Sequence, residues 1–409
     1  MFRTHLVSWM AFAWGALLFL PIGVNYLTFL ALLAALLAGG RWAERGRRIR
    51  HSPYWWPVAG FVGWTVFCLA AQPAYFAETP SNLFHGLRIA LTFLVVAALD
   101  ERELSSGLRG LVIGGLAGLA VAAVNGVFGL PPSDLWRSLI SHHGNKSISN
   151  ALIYALLAVL AVRVAFEQTQ WKQRALLLIG AMACIAQIVV VLPSRTSMIA
   201  AVLAMALLAV HRWRNAWRPL VSAVAATTAL AGAVLTLQPE ISSRFETGLN
   251  QLRAAGSERV EMTNSWGVRY HLYDKTAAMV ADRPVLGWGI GSWNGQWRAR
   301  ADAAIGDINM PHNDYLWMGA QAGIPGLIAM LALVLAGAGR CWSRRDAIGA
   351  MGLAAIVILA LGASFNSALR DAAIGLSLPF VTALLVSRAV LAPSSDPPSG
   401  PDGRKPSMA

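Results

Sequence analysis

Apolar residues fall along this chain in runs of about 17 to 25, the length an α-helix needs to cross the hydrocarbon core of a bilayer. The runs recur from the N-terminus almost to the end, and charged clusters, Pro and Gly interrupt them. Read this way, the chain is an all-α polytopic membrane protein with about twelve transmembrane helices. The expected spans are residues 5–20, 22–40, 54–71, 82–99, 107–128, 147–165, 173–192, 195–211, 217–237, 312–339, 346–364 and 371–391. The organisation that follows is helices 1–9 over residues 1–237, a large connection over 238–311, helices 10–12 over 312–391 and a tail over 392–409. The tail sequence PSSDPPSGPDGRKPSMA is too poor in apolar residues to order itself.

Composition agrees with the pattern. The 409 residues are 56% hydrophobic and only 13% charged, where a soluble chain carries roughly a quarter. A net charge of +13 would suit a nucleic-acid partner if it formed one patch, but the basic residues sit in short clusters between apolar runs. RWAERGRRIR, DERELSSGLR, RVAFEQTQWKQR, HRWRNAWR and GRCWSRR alternate with PIGVN, AQPAYFAETP and LPS, which hold no Arg or Lys. By the positive-inside rule, both termini are cytoplasmic and the odd-numbered connections face outward. Trp42, Trp171, Trp213, Trp217 and Trp342 sit beside the basic clusters as interfacial aromatics do. Arg3 and the first apolar run read as a retained signal anchor. Cys68, Cys184 and Cys341 have no paired spacing, so neither a disulfide nor a zinc site is expected.

Ionisable residues within or beside a membrane helix are costly, and so they are candidates for function. His85 and Arg88 lie near the outer end of the fourth span, and Lys146 opens the sixth behind SHHGN, which contains His142 and His143. Arg195 opens the eighth in LPSRTS, His312 and Asn313 open the tenth in MPHNDYL, and Arg370 with Asp371 opens the twelfth. All belong to even-numbered spans, whose N-termini point outward in this topology. A helix N-terminus offers unpaired N–H groups and partial positive charge, so together these ends would form a pocket for a strongly anionic headgroup. Each residue also has a plainer role open to it: snorkelling for Arg195, helix capping for His312, an ion pair with an acid such as Asp371 for Arg88 and Arg370, surface hydrogen bonding for the other histidines.

The long connection is not polar throughout. Ile241, Phe245, Leu249 and Leu252 fall at helical spacing, and a second amphipathic helix is expected in RYHLYDKTAAMVAD. There Leu272, Tyr273, Thr276 and Val280 form a stripe, Arg269 falls on its side, and Asp274 and Lys275 lie off it. RPVLGWGIGSWNGQW suits tight turns against a membrane surface. The outer segments contain no DxD, and the chain has no GxxxxGK[ST] and no HExxH, so no metal and no cofactor is expected and an ATP-driven pump is disfavoured.

SRTSMIAAVLA, the R-Y-x-L and P-V-L-G-W-G-I-G elements and PHNDYLWMGAQAGIPGL together resemble the superfamily of O-antigen ligases and O-antigen polymerases, most clearly from Ser194 to Gly326. The resemblance implies a GT-C-like glycosyltransferase of the bacterial inner membrane, with its active site facing the periplasm. It implies an undecaprenyl diphosphate-linked glycan as donor and, for a ligase, a sugar hydroxyl of the lipid A-core oligosaccharide as acceptor. Arg195, Arg269 and His312 carry over as catalytic residues, the arginines on the diphosphate and the neutral imidazole on the attacking hydroxyl. His85, Arg88, Lys146, Asn313, Arg370 and Asp371 join them as substrate-binding candidates through the sorting by side. Direct displacement predicts inversion at the anomeric carbon. The short termini and single large loop resemble the ligase branch; the alternatives are an O-antigen or capsule polymerase, a polysaccharide transporter and, weakest, a structural scaffold.

Overall fold

The computed structural model describes residues 2–213, 221 and 265–392, which form helices and no strand. The first part runs α1 (Phe2–Leu17), α2 (Ile22–Ala38), α3 (Trp42–His51), α4 (Trp55–Ala71), α5 (Thr79–Ala97) and α6 (Glu101–Phe128). It continues with α7 (Arg137–Ile140), α8 (Gly144–Ala165), α9 (Trp171–Ala186) and α10 (Arg195–Trp213). The second part holds α11 (Ser265–Asp282), α12 (Trp293–Arg298), α13 (Asp314–Val334), α14 (Ala338–Ser343), α15 (Ala347–Phe365) and α16 (Ile374–Leu391). The ninth expected span falls outside the described residues except for Val221, as do the pattern from Ile241 to Leu252 and the tail from 393. Each of the other expected spans coincides with a helix.

Eight helices among the described residues are long and apolar enough to cross a membrane, or nine if α3 and α4, bent by 86°, are counted as one span. The protein is thus a multi-pass membrane protein; of the twelve expected spans, that at 217–237 lies outside the described residues apart from Val221, and those at α1 and α2 are helices too short to count. At 1.5 Å per residue the 16 residues of α1 and 17 of α2 reach only about 25 Å, short of a hydrocarbon core of about 30 Å.

Small residues bring the helices together. Along α6, Gly110 and Gly114 lie against α1 so closely that a Cβ would come within 2.1 Å of the Phe12 carbonyl oxygen and 2.2 Å of that of Ala16. This is the small-residue packing by which membrane helices associate without a hydrophobic driving force. At the centre stands α16, buried along almost its whole length, with Phe380 stacked on Trp14 at 3.7 Å between centroids.

The basic clusters gather at one end. Arg45 of α3 and Glu103 of α6 form a buried bidentate pair at 2.8 and 3.0 Å. Glu103 also closes a capping box with Asp100, accepting the Asp100 N–H while its own N–H reaches the Asp100 carboxylate. Arg388 reaches Glu101 at 2.8 Å, and Arg344 donates to the carbonyls of Ala389 and Ala392. At the opposite end, α8, α13 and α16 begin around the turn at residues 366–373 that joins α15 to α16, and Arg88 reaches it from within α5.

One membrane helix is broken. In α13, Ala322 (φ −130°) and Gly323 (φ 69°) leave the helical conformation just before Pro325, which has no N–H to donate. The freed carbonyls are taken up by the segment from Pro284 to Gly291: Trp288 N–H donates to Ala320 at 2.8 Å and Gly289 N–H to Gln321 at 3.0 Å. Ile324 N–H returns a bond to Pro284, and the Trp64 indole caps the Ala322 carbonyl at 2.7 Å. Contact is so close that a Cβ on Gly323 would lie 2.2 Å from the Val285 carbonyl oxygen, and one on Gly287 2.4 Å from Gln321. Unpaired backbone groups inside a bilayer cost several kcal/mol, so this loop is what makes the break tolerable.

Candidate functional site

The site is assembled around the turn that precedes α13. Pro311 ends the incoming strand of chain, His312 takes a left-handed φ of 54°, and Asn313 caps the helix by accepting the Leu316 N–H at 3.0 Å. A left-handed side-chain-bearing residue costs on the order of 1–3 kcal/mol, which surrounding bonds must repay. They come from Tyr273, whose hydroxyl lies 3.2 Å from the His312 carbonyl and 2.9 Å from that of Ser364, so its one proton ties α11 to the His312 turn and to the end of α15. Burial pushes the Tyr273 hydroxyl up to about 12, so it stays a donor.

Arg269 lies one turn before Tyr273 on the same face of α11, within electrostatic reach of Tyr273 and His312. Burial first, then the nearby Arg269 guanidinium, push the His312 imidazole down to about 4; Asp371 pulls upward and Arg370 downward again. The ring is therefore neutral across the physiological range. The guanidinium groups of Arg269 and Arg370 form no hydrogen bond or ion pair with a side chain among the described residues, and the Arg370 Nε is buried with no partner there. Arg370 lies with its Cζ 5.6 Å from the centre of the Trp317 ring. Burial lowers its pKa from the ordinary arginine value, with Asp314 and Asp371 acting the other way.

The turn that carries Arg370 is clamped from two sides. Asp314, fully buried, accepts the Leu369 N–H at 2.7 Å and the Arg370 N–H at 3.2 Å. From α5, the buried Arg88 donates to the carbonyls of Leu369, Arg370 and Asp371 at 2.6, 2.8 and 3.1 Å and to the Tyr26 hydroxyl at 2.9 Å. Arg88 is thus engaged with backbone, not with the Asp371 carboxylate. Asp371 caps α16 through the N–H groups of Ala373 and Ile374 and accepts from Asn145. Lys146 is turned inward, donating to the Leu18 carbonyl at 2.5 Å with the Ser377 hydroxyl at 3.4 Å. His85 lies one turn from Arg88 on α5, 3.4 Å from the Ser81 hydroxyl.

Of the sequence candidates, the structure brings together Arg269, His312, Asn313, Arg370 and Asp371, with Arg88 behind them. Arg195 opens α10 as an exposed residue, behind a π-helical turn at Gln187–Val191 and the Ser194 hydroxyl that Ser197 engages at 2.9 Å. Asp314 was not foreseen. It reads in sequence as an ordinary acid in a first helical turn, and nothing local says that it reaches backbone 55 residues on.

A bundle of apolar helices with two guanidinium groups and a histidine collected at one end is a multi-pass membrane protein with a cationic candidate site. Residues 180–331, from α9 into α13, match the family model described as O-antigen ligase. Arg195, Arg269 and His312 all lie inside the matched segment, whereas His85, Arg88, Lys146, Arg370 and Asp371 lie outside it. Among curated proteins none matches the chain.

Proposed function

We propose that the protein is an O-antigen ligase that transfers a glycan from undecaprenyl diphosphate to a sugar hydroxyl of lipid A-core at the periplasmic face of the bacterial inner membrane. The observation that carries this reading is the pair of guanidinium groups, Arg269 and Arg370, beside a neutral His312. Half-buried guanidinium groups with no acid in ion-pair contact among the described residues suit a dianionic diphosphate as ligand.

In the reaction, the acceptor oxygen attacks the anomeric carbon as the bond from that carbon to the diphosphate oxygen breaks. The electron pair leaves with the lipid diphosphate, and the hydroxyl proton passes to His312. Arg269, Arg370 and Arg195 hold the growing charge, so no strong general acid is required. Asp314 and Arg88 are positioning residues: they fix the turn that presents Arg370. The product is inverted at the anomeric carbon.

The test is reconstitution of purified protein with a lipid-diphosphate glycan and lipid A-core, without ATP or added metal. Conjugated glycan supports the reading, and its absence with active donor and acceptor removes it. A deletion strain separates ligase from polymerase, since losing a ligase leaves long glycans on the carrier lipid and losing a polymerase leaves single repeat units on the core.

A further inference from the structure

We propose that a recess between α3, α5 and α16, at the opposite end of the bundle from His312, binds the phosphate headgroup of an anionic phospholipid. The recess has a volume of about 350 Å³ and is lined by Arg47, Arg48, His51 and Glu44 on α3, with Ser387 and Leu391 of α16 across from them.

Three observations carry this. First, the charges are unbalanced toward cation. Glu44 is held by Arg41 at 2.6 and 2.7 Å and by Arg48, so its charge is already met, while the Arg47 and His51 side chains form no hydrogen bond or ion pair among the described residues. Second, Ser387 lines the recess at 5% exposure, and its hydroxyl is buried without a hydrogen-bond partner. A buried hydroxyl left unpaired costs on the order of 1–3 kcal/mol, and a phosphate oxygen would pair it. Third, the surroundings suit a lipid better than a free anion. Ala97, Val390 and Leu391 give the recess an apolar wall. Because α3 turns by 86° from α4, it runs across the axis of that apolar helix, with Trp42 and Trp56 exposed near its ends as aromatics at a headgroup boundary are. Basic recesses between membrane helices bind such headgroups by this combination.

The experiment is native mass spectrometry of the full chain released from nanodiscs of equal parts phosphatidylglycerol and phosphatidylcholine. The wild type is expected to retain phosphatidylglycerol at least fivefold over phosphatidylcholine, and the Arg47→Gln/His51→Gln double variant to lose most of that preference. Arg137→Gln, an exposed arginine elsewhere, should keep it. Ser387→Ala should weaken retention with the charges intact. Equal retention of both lipids, an unchanged double variant, or an equal loss in Arg137→Gln overturns the proposal. Displacement of the lipid by millimolar inorganic phosphate would overturn the assignment to a lipid. The readout is lipid retention alone, so it stands or falls separately from glycan transfer.

Discussion

His312 combines three properties that one residue rarely holds together: a left-handed backbone, burial and two arginines within electrostatic reach. His312→Ala should lower transfer by roughly 10²–10⁴-fold while the protein stays in the membrane, measured as conjugate formed at matched abundance. Its pH behaviour is equally specific. An ordinary histidine titrates near 6.5, and this one, depressed to about 4, stays unprotonated until the pH falls to that value. The acid limb of kcat/KM, which reports free enzyme, should therefore lie well below 6.5 and close to 4. In kcat it should move to higher pH, because bound diphosphate stabilises the imidazolium; coincident limbs near 6.5 would remove His312 as the titrating group. The unfolded chain takes up its proton near 6.5, so this residue's contribution to stability diminishes as pH falls from about 6.5 to about 4. Asp314→Ala leaves one buried and one half-buried N–H group unpaired and should cost about 2–4 kcal/mol, seen as a lower Tm together with reduced transfer. His312 and Arg269 stand out in the sequence because their neighbours form recognisable elements, and the fold brings the two within electrostatic reach. The role of Asp314 does not stand out there, since it depends on a turn that folding brings from far along the chain.

Elements were legible wherever periodicity or apolar length decides them. The stripe of Leu272, Thr276 and Val280 predicts α11, and all three are buried there while Asp274 and Lys275 are exposed. The cluster RWAERGRRIR reads as a loop by its charge yet forms α3, because its arginines find acids along the helix and across it on α6. The glycine-rich P-V-L-G-W-G-I-G segment announces tight turns, but its destination in the break of α13 is a tertiary fact. Gly323→Ala places a Cβ against the Val285 carbonyl at a φ of 69°, and should cost about 2–3 kcal/mol. Limited proteolysis should then cut within residues 283–300 faster than in wild type. Unchanged cleavage would mean that the loop is held by other contacts.

For the molecule as a whole, the alternation of basic and non-basic connections anticipated two chemically different ends, and the structure has them. What the pattern could not supply was the pairing within each end. Arg45 and Glu103 meet with side chains 6% and 3% exposed, so Arg45→Ala alone should destabilise by about 3–5 kcal/mol through the uncompensated carboxylate. Arg45→Met with Glu103→Leu should recover most of that loss, less about 1 kcal/mol for the broken capping box, as read from thermal unfolding in detergent. The fit between the glycine-rich loop and α13 also sets an order of manufacture. Residues 284–291 leave the ribosome before the break at Ala322–Gly323 exists to receive them, so the wedge must wait for its slot. A nascent chain halted between the two would carry unpaired glycine amides and would be a natural target for membrane proteases.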